Sequence, residues 1–137
     1  MKLRISLIII LFTLFNCVDS NKGLVEETNC DIPDVRIRLI NSSNYDFKNI
    51  IVNSQSGIKN YGNIDAKKES GYQIFDLAYK YGFVELEIGG KVFTIQPRDY
   101  VGETPLEKGV YTYQIDANNS EERYSKLSLT FIEDCKP

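Results

Sequence analysis

Carboxylates are the side chains best placed for acid–base chemistry in this sequence, because its 137 residues include no histidine. Histidine is the commonest general base, and without it no Ser-His-Asp or Cys-His arrangement can form and the usual zinc sites are excluded. Asp99 and Glu103 lie four apart in DYVGETPLEKG, and Glu85 and Glu87 share one face of FVELEI. Paired carboxylates serve glycosidases, and oxygen-rich loops hold calcium. Against that chemistry, Glu85 and Glu87 alternate with Val84, Leu86 and Ile88, the pattern of a solvated strand face. Asp99 and Glu103 fall in a loop, where capping and turn roles are usual. A carboxylate-based hydrolase is therefore the remote alternative, and neither a metal nor a cofactor is expected. Tyrosine is the other resource. Tyr72, Tyr79, Tyr81, Tyr100, Tyr111 and Tyr113 lie in the second half of the chain. Exposed tyrosine rows stack on sugars or form protein interfaces, whereas tyrosine in general simply favours strands and half-buried edges. Asp99, Tyr100 and Glu103 are the candidate ligand-binding residues.

Charge narrows the partners. There are 16 basic and 19 acidic residues; setting aside Lys2 and Arg4 leaves 14 against 19, a net of −5. A mildly acidic domain repels phosphate backbones, so no nucleic-acid partner is expected. Arg36 and Arg38, on the outer face of the first strand, read as solvated residues with no phosphate-binding loop near them.

Residues 1–16 do not look like part of the domain. Two positive charges in Met1–Arg4 precede the uncharged run ISLIIILFTLF at Ile5–Phe15. At about 1.5 Å per residue the run spans roughly 17 Å, too short for a ~30 Å hydrocarbon core. A basic start followed by a short apolar stretch is the pattern of a cleaved signal peptide. Leu14-Phe15-Asn16-Cys17 resembles the bacterial lipobox. That resemblance implies diacylglyceryl transfer to Cys17 and cleavage before it. It makes the chain an exported lipoprotein of the cell envelope, held by its lipid on a bacterial membrane, the outer membrane at its periplasmic or surface face. Two or more acyl chains give stable anchoring where one does not. Asn16 stands where Gly, Ala or Ser is common, a position that Bacteroidetes lipoproteins tolerate loosely.

With Cys17 lipidated, Cys30 and Cys135 remain in a compartment where disulfides persist. They flank the folded region and read as a disulfide; the alternatives are two free thiols or a metal pair, and a two-cysteine site without histidine is weak. If bridged, the first and last strands are expected to be antiparallel neighbours, closing one edge of a sheet.

The elements that must position these residues are strands. Val18–Asn29 is polar and aperiodic and, with Cys17, forms a tether over 17–29. From Asp31 the period is 2. Val35, Ile37 and Leu39 face a core, Asn41–Asn44 turns, and Tyr45–Val52 is a second strand. Asn53–Asn60 is loop-like and Tyr61–Ile64 a short strand. Tyr72–Tyr81 is ambiguous and read as strand. Gly89-Gly90 joins Phe83–Ile88 to Lys91–Ile95 in a hairpin. Gln96–Gly109 is a long crossing loop, and Val110–Asp116 and Lys126–Glu133 are strands. Seven to eight short strands with turn signals every 8–12 residues describe a single all-β antiparallel sandwich over 30–137.

Glu107-Lys108-Gly109-Val110-Tyr111 resembles the tyrosine corner of immunoglobulin-like domains, in which the Tyr hydroxyl bonds backbone a few residues upstream. More broadly, VRIRLIN at 35–41, the Tyr45–Val52 strand, GYQIFDLAY at 71–79 and QPRDYVGETPLEKGVYTY at 96–113 are similar to small Bacteroidetes, Flavobacteria-type, lipoproteins with an immunoglobulin-like or transthyretin-like sandwich. The resemblance implies fold and localisation and carries no activity over. The expected function is a non-catalytic, membrane-anchored domain that binds or scaffolds another envelope component, a protein or a glycan. The alternative is a carbohydrate-binding module using exposed tyrosines.

Overall fold

A computed structural model describes residues 30–97 and 99–135. The expected signal peptide at 1–16, the expected lipidation of Cys17 and the expected tether at 17–29 lie outside the described residues.

Eight strands form in chain order: β1 (Val35–Asn41), β2 (Phe47–Asn53), β3 (Ile58–Ile64), β4 (Gln73–Phe75), β5 (Phe83–Ile88), β6 (Lys91–Ile95), β7 (Gly109–Ala117) and β8 (Leu127–Cys135). No helix occurs among the described residues. The strands build two four-stranded sheets, ordered β4-β1-β7-β8 and β3-β2-β5-β6, the sandwich that period-2 patterning dictates. Val35, Ile37 and Leu39 of β1 and Ile115 of β7 point inward and are buried, as are Ile50, Val84, Leu86 and Phe93 across the gap. The Gly89-Gly90 turn joins β5 to β6 with φ of 58° and 80°, left-handed values that a two-residue hairpin of the primed type requires and glycine supplies without strain.

β7 takes the centre of its sheet because both its faces are covered. Tyr111 and Tyr113 fill the core, and Phe131 of β8 stacks on Tyr111 at 5.4 Å between ring centroids. Thr112 points to the outer face yet is fully buried, since Arg38 donates to its hydroxyl at 2.9 Å and Thr112 donates to Asp134 at 2.5 Å. Arg38 also pairs with Glu69 at 3.1 Å and lies over the Tyr72 ring. It is thus part of a polar cover rather than a freely solvated residue. Arg36, its neighbour along β1, pairs with Asp34 at 3.4 Å.

Two expectations are corrected. The first and last strands are not neighbours: β1 pairs with β7, in parallel, and β7 pairs with β8. Apolar content decides this, because the strand that can be buried on both faces is β7, and it displaces β8 to the edge. Cys30 and Cys135 are nonetheless joined, their Cα atoms 5.9 Å apart, by a bridge that passes the start of β7 at Gly109. Second, Tyr72–Tyr81 holds only the three-residue β4. Beyond Phe75 the chain crosses to the other sheet, and its carbonyls find particular partners instead of a ladder. The carbonyl of Leu77 accepts from the hydroxyls of Ser54 and Ser56, that of Ala78 from the amide of Leu106, and that of Tyr79 from the hydroxyl of Tyr113 at 2.6 Å.

At the opposite end, two polar side chains fix the turns. Asn41 is buried and fully engaged, donating to the carbonyls of Tyr45, Ile64 and Asp65 while accepting from Ser43. Lys126, only 3% exposed, donates to the carbonyls of Asn118 and Ser120 at 3.0 Å each and lies over the rings of Tyr45 and Phe93. Lys126→Met keeps the stem but strips both carbonyls of a charged donor. It is expected to cost about 2–3 kcal/mol in urea unfolding; a change under about 0.5 kcal/mol would show that water replaces the ammonium without penalty.

Candidate functional site

The segment that crosses between the sheets and the loop from β6 to β7 meet at the end of the sandwich that carries the disulfide. Tyr100 sits between two rings of the crossing segment, 4.8 Å from Tyr79 and 5.6 Å from Tyr81, the latter nearly parallel at 13°. Beside this stack a cleft of about 630 Å³ opens between the edges of the two sheets. Its walls are Ile95 of β6 and Leu129 and Phe131 of β8, closed by Tyr81, Gly82 and Pro97, with Lys80 and Asp99 at the rim. An apolar hollow with a few polar groups at its mouth is the common form of a ligand site.

Of the residues singled out from sequence, Asp99, Tyr100 and Glu103 gather beside this cleft, in mainly structural roles. The amide of Glu103 donates to the carbonyl of Tyr100 at 3.1 Å, closing a turn. Asp99 accepts from the amide of Val101 through its carboxylate and from the hydroxyl of Tyr81 through its carbonyl. The contacts of the Glu103 amide and of the Asp99 carboxylate are turn contacts, while the Glu103 side chain lies beside the Tyr81 hydroxyl. Glu85 and Glu87 lie elsewhere, on the outer face of β5, where Glu85 pairs with Arg123 at 2.9 Å and Glu87 accepts from Asn49. Among the described residues no cluster of three or more His, Cys, Asp or Glu could hold a metal ion. Tyr111 donates its hydroxyl to the carbonyl of Glu107 at 2.7 Å, four residues upstream, and so anchors the end of the loop.

The tyrosines do not form an exposed row. Tyr79, Tyr111 and Tyr113 are buried, and the half-exposed Tyr72 is covered on one face by Arg38. Tyr81 is the ring that lines the cleft. Sequence reasoning placed Ile95, Leu129 and Phe131 within strands and did not single them out.

Three hydroxyls resist ionisation. Burial pushes Tyr113 and Tyr61 above the usual phenol range, and each donates to a carbonyl, of Tyr79 and of Ile37, that a phenolate would repel. Desolvation, then the neighbouring Glu103 and Asp99, pushes Tyr81 up to about 12. In the unfolded chain all three ionise near pH 10. The folded state then holds protons that the unfolded state releases, so their contribution is intact below pH 10 and is lost as pH rises through 10 toward 12 and beyond. Urea midpoints should be level from pH 7 to 9 and fall steadily above about 10; an unchanged midpoint at pH 11 would contradict this.

No protein-family model and no curated protein matches the chain. Among solved structures, an NMR structure of a protein from Eubacterium rectale is similar, with 18% sequence identity and a TM-score of 0.47 over 74% of this chain and 88% of that one.

Proposed function

We propose that the chain is a non-catalytic, lipid-anchored domain of the cell envelope that binds a partner protein through the cleft between β6 and β8. The observation that carries this reading is the cleft itself, walled by Ile95, Leu129 and Phe131 and bordered by the stacked Tyr81, beside an Asp99 carboxylate that accepts from the amide of Val101. Apolar walls of this kind suit an apolar anchor of a protein partner, in the way that buried aromatic and aliphatic anchors carry interface energy. The lipobox-like Leu14–Cys17 supplies the localisation. The strand order, with β1 beside β7 and in parallel, favours the transthyretin-like variant over the immunoglobulin-like one, in which the first two strands share a sheet.

Cross-linking in intact membranes followed by pull-down should recover a defined partner with the unsubstituted chain and lose it with Phe131→Ser. Recovery that is empty under several growth conditions, or unaltered by the substitution, would count against the reading. The second reading is a carbohydrate module, favoured by the Tyr81 ring at the cleft. Binding on a glycan array that disappears with Tyr81→Ala would establish it in place of the first.

A further inference from the structure

The first described residue, Cys30, is fixed by its disulfide to the end of β8. Val35 pairs with Gly109 and Val110 with Cys135, so the starts of β1 and β7 and the end of β8 lie together. The loop from β6 to β7 is at this same end. It turns at Tyr100–Glu103 and presents Val101, 88% exposed, well above the other large apolar residues. The tip is held on a rigid base, because Tyr100 is gripped between Tyr79 and Tyr81.

Cys17 precedes Cys30 by thirteen positions. At no more than about 3.4 Å per residue that interval reaches at most roughly 45 Å, and as a flexible chain it spans roughly 20 Å, so a lipid on Cys17 holds this end of the domain nearer the bilayer on average than the Asn41–Asp46 end. Confinement of this kind corresponds to effective concentrations near millimolar, at which a weak apolar contact becomes well occupied. The charges around the tip are mixed: Lys80 and Lys108 against Asp99, Glu103 and Glu107, all exposed. Among these described residues no basic cluster selects anionic headgroups, and the apolar tip above the Tyr81–Tyr100 pair is the combination that suits a membrane–water boundary.

We propose that the β6–β7 loop is apposed to the bilayer that holds Cys17, with Val101 at the lipid interface and the Tyr81–Tyr100 pair at headgroup level. This rests on the anchor reading. It also places the cleft beside the membrane surface, so that its partner would present a juxtamembrane segment.

The chain contains no tryptophan, so a single introduced one is a clean reporter. The full processed protein carrying Val101→Trp, or Asn44→Trp at the far end, is reconstituted in phosphatidylcholine vesicles with brominated acyl chains, and the intact mass of each sample is measured. Both positions are exposed and in turns, and circular dichroism checks the fold. In acylated protein, emission from position 101 should be quenched at least about twofold more than that from position 44, with a blue shift, and equally so when phosphatidylglycerol is added. In the unsubstituted chain, amide exchange over residues 99–104 should slow on vesicles. Equal or reversed quenching, or unchanged exchange, in protein whose mass carries the acyl chains overturns the proposal and leaves the anchor standing. A mass without acyl chains overturns the anchor reading, and the proposal with it.

Discussion

Replacing Cys30 and Cys135 with alanine should lower the melting temperature by about 20 °C. The bridge spans 105 positions, from ahead of β1 to the last residue of β8, so it encloses nearly the whole domain. Closing a loop of about 100 residues removes unfolded-state entropy worth up to about 4.7 kcal/mol. For a domain of about this size, 1 kcal/mol moves the melting temperature by roughly 4–8 °C. The native geometry does not oppose the bridge, since a Cα separation of 5.9 Å is near the centre of the usual range. Removing it also frees the segment ahead of β1, where Asp34 accepts from the amide of Gly109 at 2.9 Å. Calorimetry on the oxidised protein, the reduced protein and the double alanine variant would measure the effect. A loss of only a few degrees would mean that the unfolded chain is already compact enough to bring its ends together.

Gly109→Val should cost about 3 kcal/mol, the second large effect, and at the same seam. Gly109 has φ of 154°, where side chains are rarely tolerated, and a Cβ there would lie 2.7 Å from the carbonyl oxygen of Cys135 and 3.1 Å from the hydroxyl of Tyr111. The first neighbour is backbone held by the disulfide, and the second is pinned by its hydrogen bond to Glu107. Neither can yield without breaking something, so overpacking and backbone strain add. Denaturant unfolding of Gly109→Ala and Gly109→Val would show the series; near-wild-type midpoints for both would show that the start of β7 can move aside. Tyr111→Phe separates the two contacts, since it removes the hydroxyl and leaves the carbonyl clash.

The strands were legible where one face meets solvent. Val35, Ile37 and Leu39 alternate in sequence and alternate in burial, and Gly89-Gly90 marks its hairpin unaided. Residues 72–81 were misread because nothing local distinguishes a strand from a crossing segment whose carbonyls are capped one by one by Ser54, Ser56, Leu106 and Tyr113. The cysteine pair was legible, but strand order was not: a bridge fixes two Cα atoms and is silent about a third strand passing between. Asp99, Tyr100 and Glu103 drew notice as a loop cluster and do meet at one place. The walls of the cleft did not, because Ile95 and Phe131 are separated by 36 positions and become neighbours only when two sheets stack.

The division of strands between the sheets has a consequence for how the chain assembles. The sheet β3-β2-β5-β6 is drawn from residues 47–95, mostly through short connections, whereas β4-β1-β7-β8 needs strands from both ends. Loop closure makes the parallel β1–β7 contact the entropically dearer one, and it stays unavailable until residue 109 and beyond have arrived. A chain threaded across a membrane from its N-terminus would thus present a half-built sandwich, the inner face of one sheet uncovered, until its final strands emerge. For a chain exported in this way, the period of greatest vulnerability to aggregation and proteolysis would be the last quarter of that threading, which would end when β7 and β8 complete the sheet with β1 and the two cysteines come within reach of an oxidant.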